Sequence, residues 1–246
     1  MQIKELTIYS SKIEEQSEFY AQVLGLPQIG ESANKLSFQC GKSILHIEFN
    51  ADTSPYHFAI NIPANKELEA LNWLKSKVKI LKDGDREIQD FDFWNAKAIY
   101  FYDSDQNIVE LIARKNLNNP SDQKFGLDQF LEISEIGMPT TDIQKKYDRL
   151  ARLTGIEIFD GGFERFCAIG DEHGLFICID KALKDWYPTN DKAFSSAFEI
   201  ELVEKGKAYR LAYKNGEITA LGKPNSKKNR STSRASRFKR LPFPIF

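Results

Sequence analysis

Residues 10–26 read SSKIEEQSEFYAQVLGL, and their pattern is the key to the rest of the chain. Ser11 and Glu14 have the S-x-x-E spacing of a capping box, in which each side chain can satisfy the other's free backbone N–H. Ile13, Tyr20, Val23 and Leu24 then fall on one helical face, and Gly25 is placed to end the helix. Upstream, residues 3–9 alternate, with Glu5, Thr7 and Tyr9 on one face and Leu6 and Ile8 on the other, as in a half-buried strand. Downstream, strands around 36–40 and 43–49 flank a turn at Gly41, with room for another near 28–31. The order repeats: a strand over 57–62, an amphipathic helix over 64–78, and strands near 78–82, 98–102 and 108–113. Residues 1–115 therefore read as two βαβββ units.

A polar stretch, 116–128, containing NLNNPSDQK, separates these units from a third copy offset by 130 residues. Thr141 and Gln144 repeat the cap spacing, Gly155 repeats Gly25, and Glu135 falls on Glu5; agreement at cap, helix length and stop residue points to duplication. A fourth, abbreviated unit has strands at 197–203, 208–213 and 217–221 with no room for a helix. The expected organisation is a domain over 1–115, a linker over 116–128, a degenerate domain over 129–222 and a basic tail over 223–246.

The chain has 246 residues, 41% hydrophobic and 28% charged, with net charge −1. No run reaches the roughly 20 apolar residues that span a bilayer, and the N-terminal residues lack the apolar core of a secretory signal. Three cysteines are too scattered for a disulfide framework or a thiolate metal site, so a reducing cytoplasm is expected. The near-neutral total hides an asymmetry. Eight basic and no acidic residues fall in 223–246, leaving 26 basic against 35 acidic in 1–222. A body that acidic disfavours nucleic acid as a partner, and the Ser- and Arg-rich tail reads as disordered.

Two segments carry a resemblance. FYDSDQNIVELIAR (residues 101–114) is similar to the aspartate-turn-asparagine hairpin that closes a unit in the vicinal oxygen chelate superfamily, and residues 10–26 resemble that family's first helix, ending Phe-Tyr-x-x-x-Leu-Gly-Leu. Glyoxalases, methylmalonyl-CoA epimerases, extradiol dioxygenases and the fosfomycin and bleomycin resistance proteins share this fold. The resemblance implies an α+β fold, tandem βαβββ units forming two glyoxalase-like half-barrel cups on one chain, the C-terminal one degenerate. Fold alone does not name the reaction.

The family's ligands lie on the cup face of the first and last strand of each unit, and strand alternation locates those slots here. They are Glu5, His46, His57 and Glu110. Two imidazoles and two carboxylates suit a divalent zinc, nickel, cobalt, manganese or iron ion, with two open positions for adjacent substrate oxygens. The resemblance implies a metal-dependent lyase or isomerase on a small substrate with vicinal oxygens, acting through an enediolate, with Glu110 or Glu5 as base. Two alternatives stay open: an extradiol dioxygenase using His46, His57 and Glu110, or a metal-free drug-binding protein, favoured by a glutamate at position 5. Thr7, Tyr9, Glu48, Asn61, Trp94 and Tyr100 are the expected substrate-facing residues. Glu135 occupies a first slot, but the C-terminal half, with Phe176 or a thiol for the next, is expected to be non-catalytic. A small molecule is the expected partner, and the chain could be a monomer or a homodimer.

Overall fold

The computed structural model describes residues 1–222; the basic tail lies outside the described residues. The first unit is β1 (Gln2–Ser10), α1 (Ile13–Ser17, continuing as a π-helical stretch Glu18–Leu24), β2 (Gln28–Ser32), β3 (Lys35–Cys40) and β4 (Ser43–Phe49). The second is β5 (His57–Ile62), α2 (Glu67–Lys75), β6 (Ile80–Leu81), β7 (Gln89–Phe91), β8 (Ala96–Tyr102) and β9 (Ile108–Arg114). The third is β10 (Glu132–Gly137), α3 (Ile143–Thr154), β11 (Ile158–Gly161), β12 (Phe166–Asp171) and β13 (Gly174–Ile179). The short fourth unit is β14 (Phe198–Glu204), β15 (Lys207–Lys214) and β16 (Glu217–Ala220).

Gly25 and Gly155 end their helices with φ of +88° and +74°, a conformation glycine adopts without strain. The caps differ from expectation. Lys12, not Ser11, stands at the first helix start with no side-chain cap, and its own N–H donates to Ser10 Oγ at 2.8 Å. In the third unit Asp142, one residue past Thr141, accepts the Lys145 N–H at 2.9 Å.

The strands form two sheets, in the orders β16-β15-β14-β1-β4-β3-β2 and β11-β12-β13-β10-β5-β9-β8-β6, with β7 on β8. These are two glyoxalase-like half-barrel cups, and each takes one unit from either half of the chain. β1 lies antiparallel to β14, and β5 antiparallel to β10. The first strand of every full unit has its own last strand on one side and an open row of backbone groups on the other. Alternation assigns faces to such a strand but not the partner for its free edge. The cup expected within 1–115 therefore does not form, since its strands are divided between the sheets.

One face of each sheet packs with the helices in a shared core, including Leu6 and Ile8 of β1, Phe58, Ile60 and Ile62 of β5, and Val109 and Leu111 of β9. The alternate residues line the cups. The stretch 116–128 contributes to the same packing, with Phe125 edge-on to Trp73 of α2 at 5.8 Å. The aspartate-turn hairpin is held by buried Asp103, which accepts from Tyr20 Oη (2.7 Å), Gln16 Nε2 (3.1 Å) and Asn107 Nδ2 (2.8 Å). These bonds tie the hairpin of the second unit to the helix of the first.

Candidate metal centre

Strand register locates the centre. In the second cup Ala59 lies opposite Glu110 on β9 and opposite Glu135 on β10. Two residues before Ala59, and on the same face, stands His57. The ligand atoms of His57, Glu110 and Glu135 all lie within 4.8 Å of one another, and all three residues are buried. His57 Nε2 is 3.5 Å from Glu110 Oε2 and 3.7 Å from Glu135 Oε2.

The His57 ring is oriented from behind. Its Nδ1 is 3.2 Å from the Ile108 carbonyl oxygen; a carbonyl only accepts, so Nδ1–H donates and Nε2 is the ring atom turned toward the two carboxylates. Nε2 and two carboxylates thus converge on one point. Their spacing is too long for charge-assisted hydrogen bonds, about 2.7–2.9 Å, and suits ligands each roughly 2.0–2.2 Å from a shared ion. A backbone carbonyl behind a ligating imidazole is also the usual support of a metal-bound histidine.

The two carboxylates differ in their surroundings. Arg114, fully buried, donates from Nη2 to Glu135 Oε1, and its Nε donates to Asn61 Oδ1 at 3.2 Å. Its Nη1 is buried with no hydrogen-bond partner. Glu110 is pushed well above the usual carboxylate range by burial and by the neighbouring Glu135 charge, against the opposing pull of Arg114 and the Tyr100 hydroxyl. Burial and Glu110 likewise push the Tyr100 hydroxyl up.

A cavity of about 430 Å³ opens over the three, walled by Phe91, Trp94, Tyr100, Phe166, Trp186 and Tyr187. Trp186 belongs to the crossover between β13 and β14, and its ring centroid lies 4.8 Å from that of His57. A Cβ on Gly137 would come within 2.8 Å of the indole, so glycine at the end of β10 is what lets Trp186 reach the histidine. Ile177, opposite Gly137 in β13, occupies the position a fourth ligand would take.

The structure does not bring the four expected ligands together. His57 and Glu110 stand in the second cup, with Glu135. Glu5 and His46 face each other at 3.2 Å in the first cup, on the other sheet. There His46 Nδ1 meets Ser37 Oγ at 2.8 Å, Lys35 pairs with Glu48, and Arg210 pairs with Glu199 at 2.9 Å. Burial and Lys35 hold the His46 imidazole below its ordinary pKa. Thr7 and Glu48 line the small polar hollow between these groups; the Tyr9 backbone N–H donates to Tyr56 Oη. Of the other expected substrate contacts, Trp94 and Tyr100 line the second cavity, while Asn61 is fully buried behind Arg114.

Glu135 is the residue that sequence reasoning set aside. Its signal was present in the 130-residue offset from Glu5; only the β5–β10 pairing brings it beside His57. The strand expected to offer Phe176 or Cys178 turns those two into the core and Ile177 into the cup. His173, as expected of a turn residue, is half-exposed and pairs with Glu132 at 2.7 Å.

No family model matches the chain. The metallothiol transferase FosB of Staphylococcus haemolyticus is 34% identical over 117 residues, covering 44% of this chain and 81% of the relative. A crystal structure of a candidate dioxygenase from Bacillus subtilis superposes with a TM-score of 0.55 at 17% identity, covering 73% of this chain and 63% of that one. A variant of glyoxalase I from Zea mays gives a TM-score of 0.49 at 13% identity, over 72% and 66% of the two chains. With this relative and this fold, the chain belongs to the vicinal oxygen chelate superfamily. Among the described residues no helix is long and apolar enough to cross a membrane.

Proposed function

We propose that the chain is a metal-dependent lyase or isomerase acting on a small substrate with two adjacent oxygens, bound in the second cup against His57, Glu110 and Glu135. The observation that carries this reading is the convergence of His57 Nε2 with two buried carboxylates, the ring held by the Ile108 carbonyl behind it. One nitrogen and two oxygen donors, with no thiolate among them, suit a divalent zinc, nickel, cobalt, manganese or iron ion. Such an ion, when bound, supplies Lewis-acid polarisation of the substrate's oxygens.

The protein's own groups divide the remaining work. Glu110 is the carboxylate that takes up and returns the substrate proton: it is buried in the cup, and the Tyr100 hydroxyl is positioned to donate to it. Glu135 is committed to Arg114 through one oxygen. Trp186 and the aromatic walls exclude water from the reacting end. Glu5, on the other sheet, has no part in this centre.

The dioxygenase alternative loses its ligand set, because oxygen-activating iron sites of this kind use two histidines and one carboxylate and His46 stands in the other cup. Thiol transfer is the second reading, favoured by the likeness to a metallothiol transferase. Elemental mass spectrometry on protein purified without chelator, followed by NMR in D2O with a panel of α-hydroxy carbonyls and hemithioacetals, separates these. The proposal expects near-stoichiometric metal and deuterium wash-in at the carbon next to the carbonyl, abolished in Glu110→Gln. Metal with thiol consumption but no wash-in supports the transferase. No ion after reloading overturns both and leaves a metal-free binding module.

A further inference from the structure

The cavity over the metal centre contains a cation that the proposed reaction does not use. Lys184, on the crossover between β13 and β14, lines the cavity with Nζ 4.6 Å from the centre of the Phe166 ring. Exposed lysines ordinarily extend their ammonium into water; this one is folded back over an aromatic face. Among the described residues Lys184 makes no ion pair, whereas the outer acids of the lining are engaged. Asp90 pairs with Lys97 at 3.2 Å, and Asp160 accepts the Trp94 indole N–H at 2.7 Å.

Arg165, next to Phe166 in sequence, adds a second positive charge. Burial first, then Arg165, hold the Lys184 ammonium below its ordinary pKa. The Arg165 guanidinium itself has only a 3.4 Å contact to the Leu183 carbonyl. Lys184 at the Phe166 end of the aromatic slot, with Arg165 beside it, is thus a pair of cations to which no carboxylate pairs among the described residues. Lys184 and Trp186 both line the cavity, and the Trp186 ring lies 4.8 Å from that of His57. The ammonium and the donor set thus share one cavity of about 430 Å³ with aromatic walls between them.

We propose that this cavity selects a substrate with a planar apolar body and an anionic group, a carboxylate, sulfonate or phosphate, received by Lys184 at the Phe166 end. The assignment of the opposite end to the reacting oxygens rests on the function proposed above; the preference for an anionic aromatic body does not. Walls of Phe91, Trp94, Phe166 and Tyr187 would hold the rings, and the anion would relieve the repulsion between Lys184 and Arg165.

The test uses two fluorescent probes with the same aromatic body, anionic 8-anilinonaphthalene-1-sulfonate and neutral N-phenyl-1-naphthylamine. Each is titrated into the full chain, with and without added zinc. Lys184→Gln should weaken the sulfonate by about tenfold, the scale of a lost charged hydrogen bond, and change the neutral probe by less than about twofold. Lys184→Glu should weaken the sulfonate further, with circular dichroism confirming that both variants are folded. Equal losses for the two probes, or no loss for either, would overturn the proposal. Because neither probe needs the metal, a chain that binds no ion yet keeps the Lys184-dependent preference refutes the enzyme reading alone.

Discussion

The two cups carry the same donor types at the same register. Thr7 lies opposite His46 and Glu199, with Glu5 two residues before it; Ala59 lies opposite Glu110 and Glu135, with His57 two residues before it. Each cup therefore has one histidine and two glutamates at three matching positions. At the fourth they part. Glu201 of β14 faces Arg210, whereas Gly137 of β10 faces Ile177. Arg210 reaches Glu199 at 2.9 Å and Glu201 at 3.6 Å, so the first cup neutralises its own carboxylates with a side chain. Its hollow is only about 60 Å³ and its groups are part-exposed, with Glu5 30% and His46 13% accessible. In the second cup Ile177 contributes no charge, Trp186 covers the histidine, and the donors are 3–6% accessible. One inherited plan has become a part-exposed, ion-paired surface in one place and, with Arg114 holding Glu135 from behind, a buried convergent donor set in the other.

The largest contrast should come from the two arginines. Arg114→Met leaves Glu135 buried beside Glu110 without its guanidinium, and loss of one partner of a buried pair costs about 3–5 kcal/mol. Arg210→Met breaks a part-exposed pair, for which about 0.2–1 kcal/mol is expected. Urea unfolding of both metal-free variants measures the difference; equal costs would mean that the cups are not electrostatically distinct.

Protons give the next contrast. Glu110 has a raised folded-state pKa, so the metal-free fold holds its proton at pH values where the unfolded chain has lost it. That contribution to stability is present at low pH and is lost as pH rises from the ordinary carboxylate range through the folded pKa. A metal ligand must be deprotonated, so ion uptake should release the proton that Glu110 holds in the metal-free fold and should strengthen as pH rises. Calorimetry in two buffers of different ionisation enthalpy reads the release, which Glu110→Gln should remove. His46 has the opposite sign: its folded pKa is lowered, so its contribution falls as pH drops from about 6.5 toward the folded value. His46→Gln should reduce that acid-side loss.

The smallest expected effect sharpens the comparison further. With Arg210→Ala, Glu199 is released beside Glu5 and His46, and a second, weaker zinc equivalent should appear in a titration at low salt. If none appears, a charge-plugging arginine is not what separates the cups.

Much of this was legible in the sequence, and the limit has a physical cause. Period-two alternation picked out Glu5, His46, His57 and Glu110 as cup-facing, though as one set rather than as pairs in two cups. Gly25 and Gly155 marked equivalent helix ends. Asp103 and Asn107 marked the hairpin whose buried bonds reach across to Tyr20 and Gln16. Alternation reports which way a side chain points, however, and says nothing about which strand takes the free edge of β1 or β5. That choice depends on contacts between residues more than 70 positions apart, such as Glu132 with Asn61. It moved Glu135 into the centre and Glu5 out of it. The same limit concealed Trp186, whose role depends on the absence of a side chain at Gly137.

The central claim is that the second cup, and not the first, is the metal centre. The most direct test is metal content by elemental mass spectrometry on wild type and on two matched pairs, His57→Ala with Glu135→Gln, and His46→Ala with Glu5→Gln, each checked for folding by circular dichroism. The account predicts near-stoichiometric metal in wild type and in the His46 and Glu5 variants, and its loss in folded His57 and Glu135 variants. Metal retained by the His57 and Glu135 variants but lost from the His46 and Glu5 variants would contradict it.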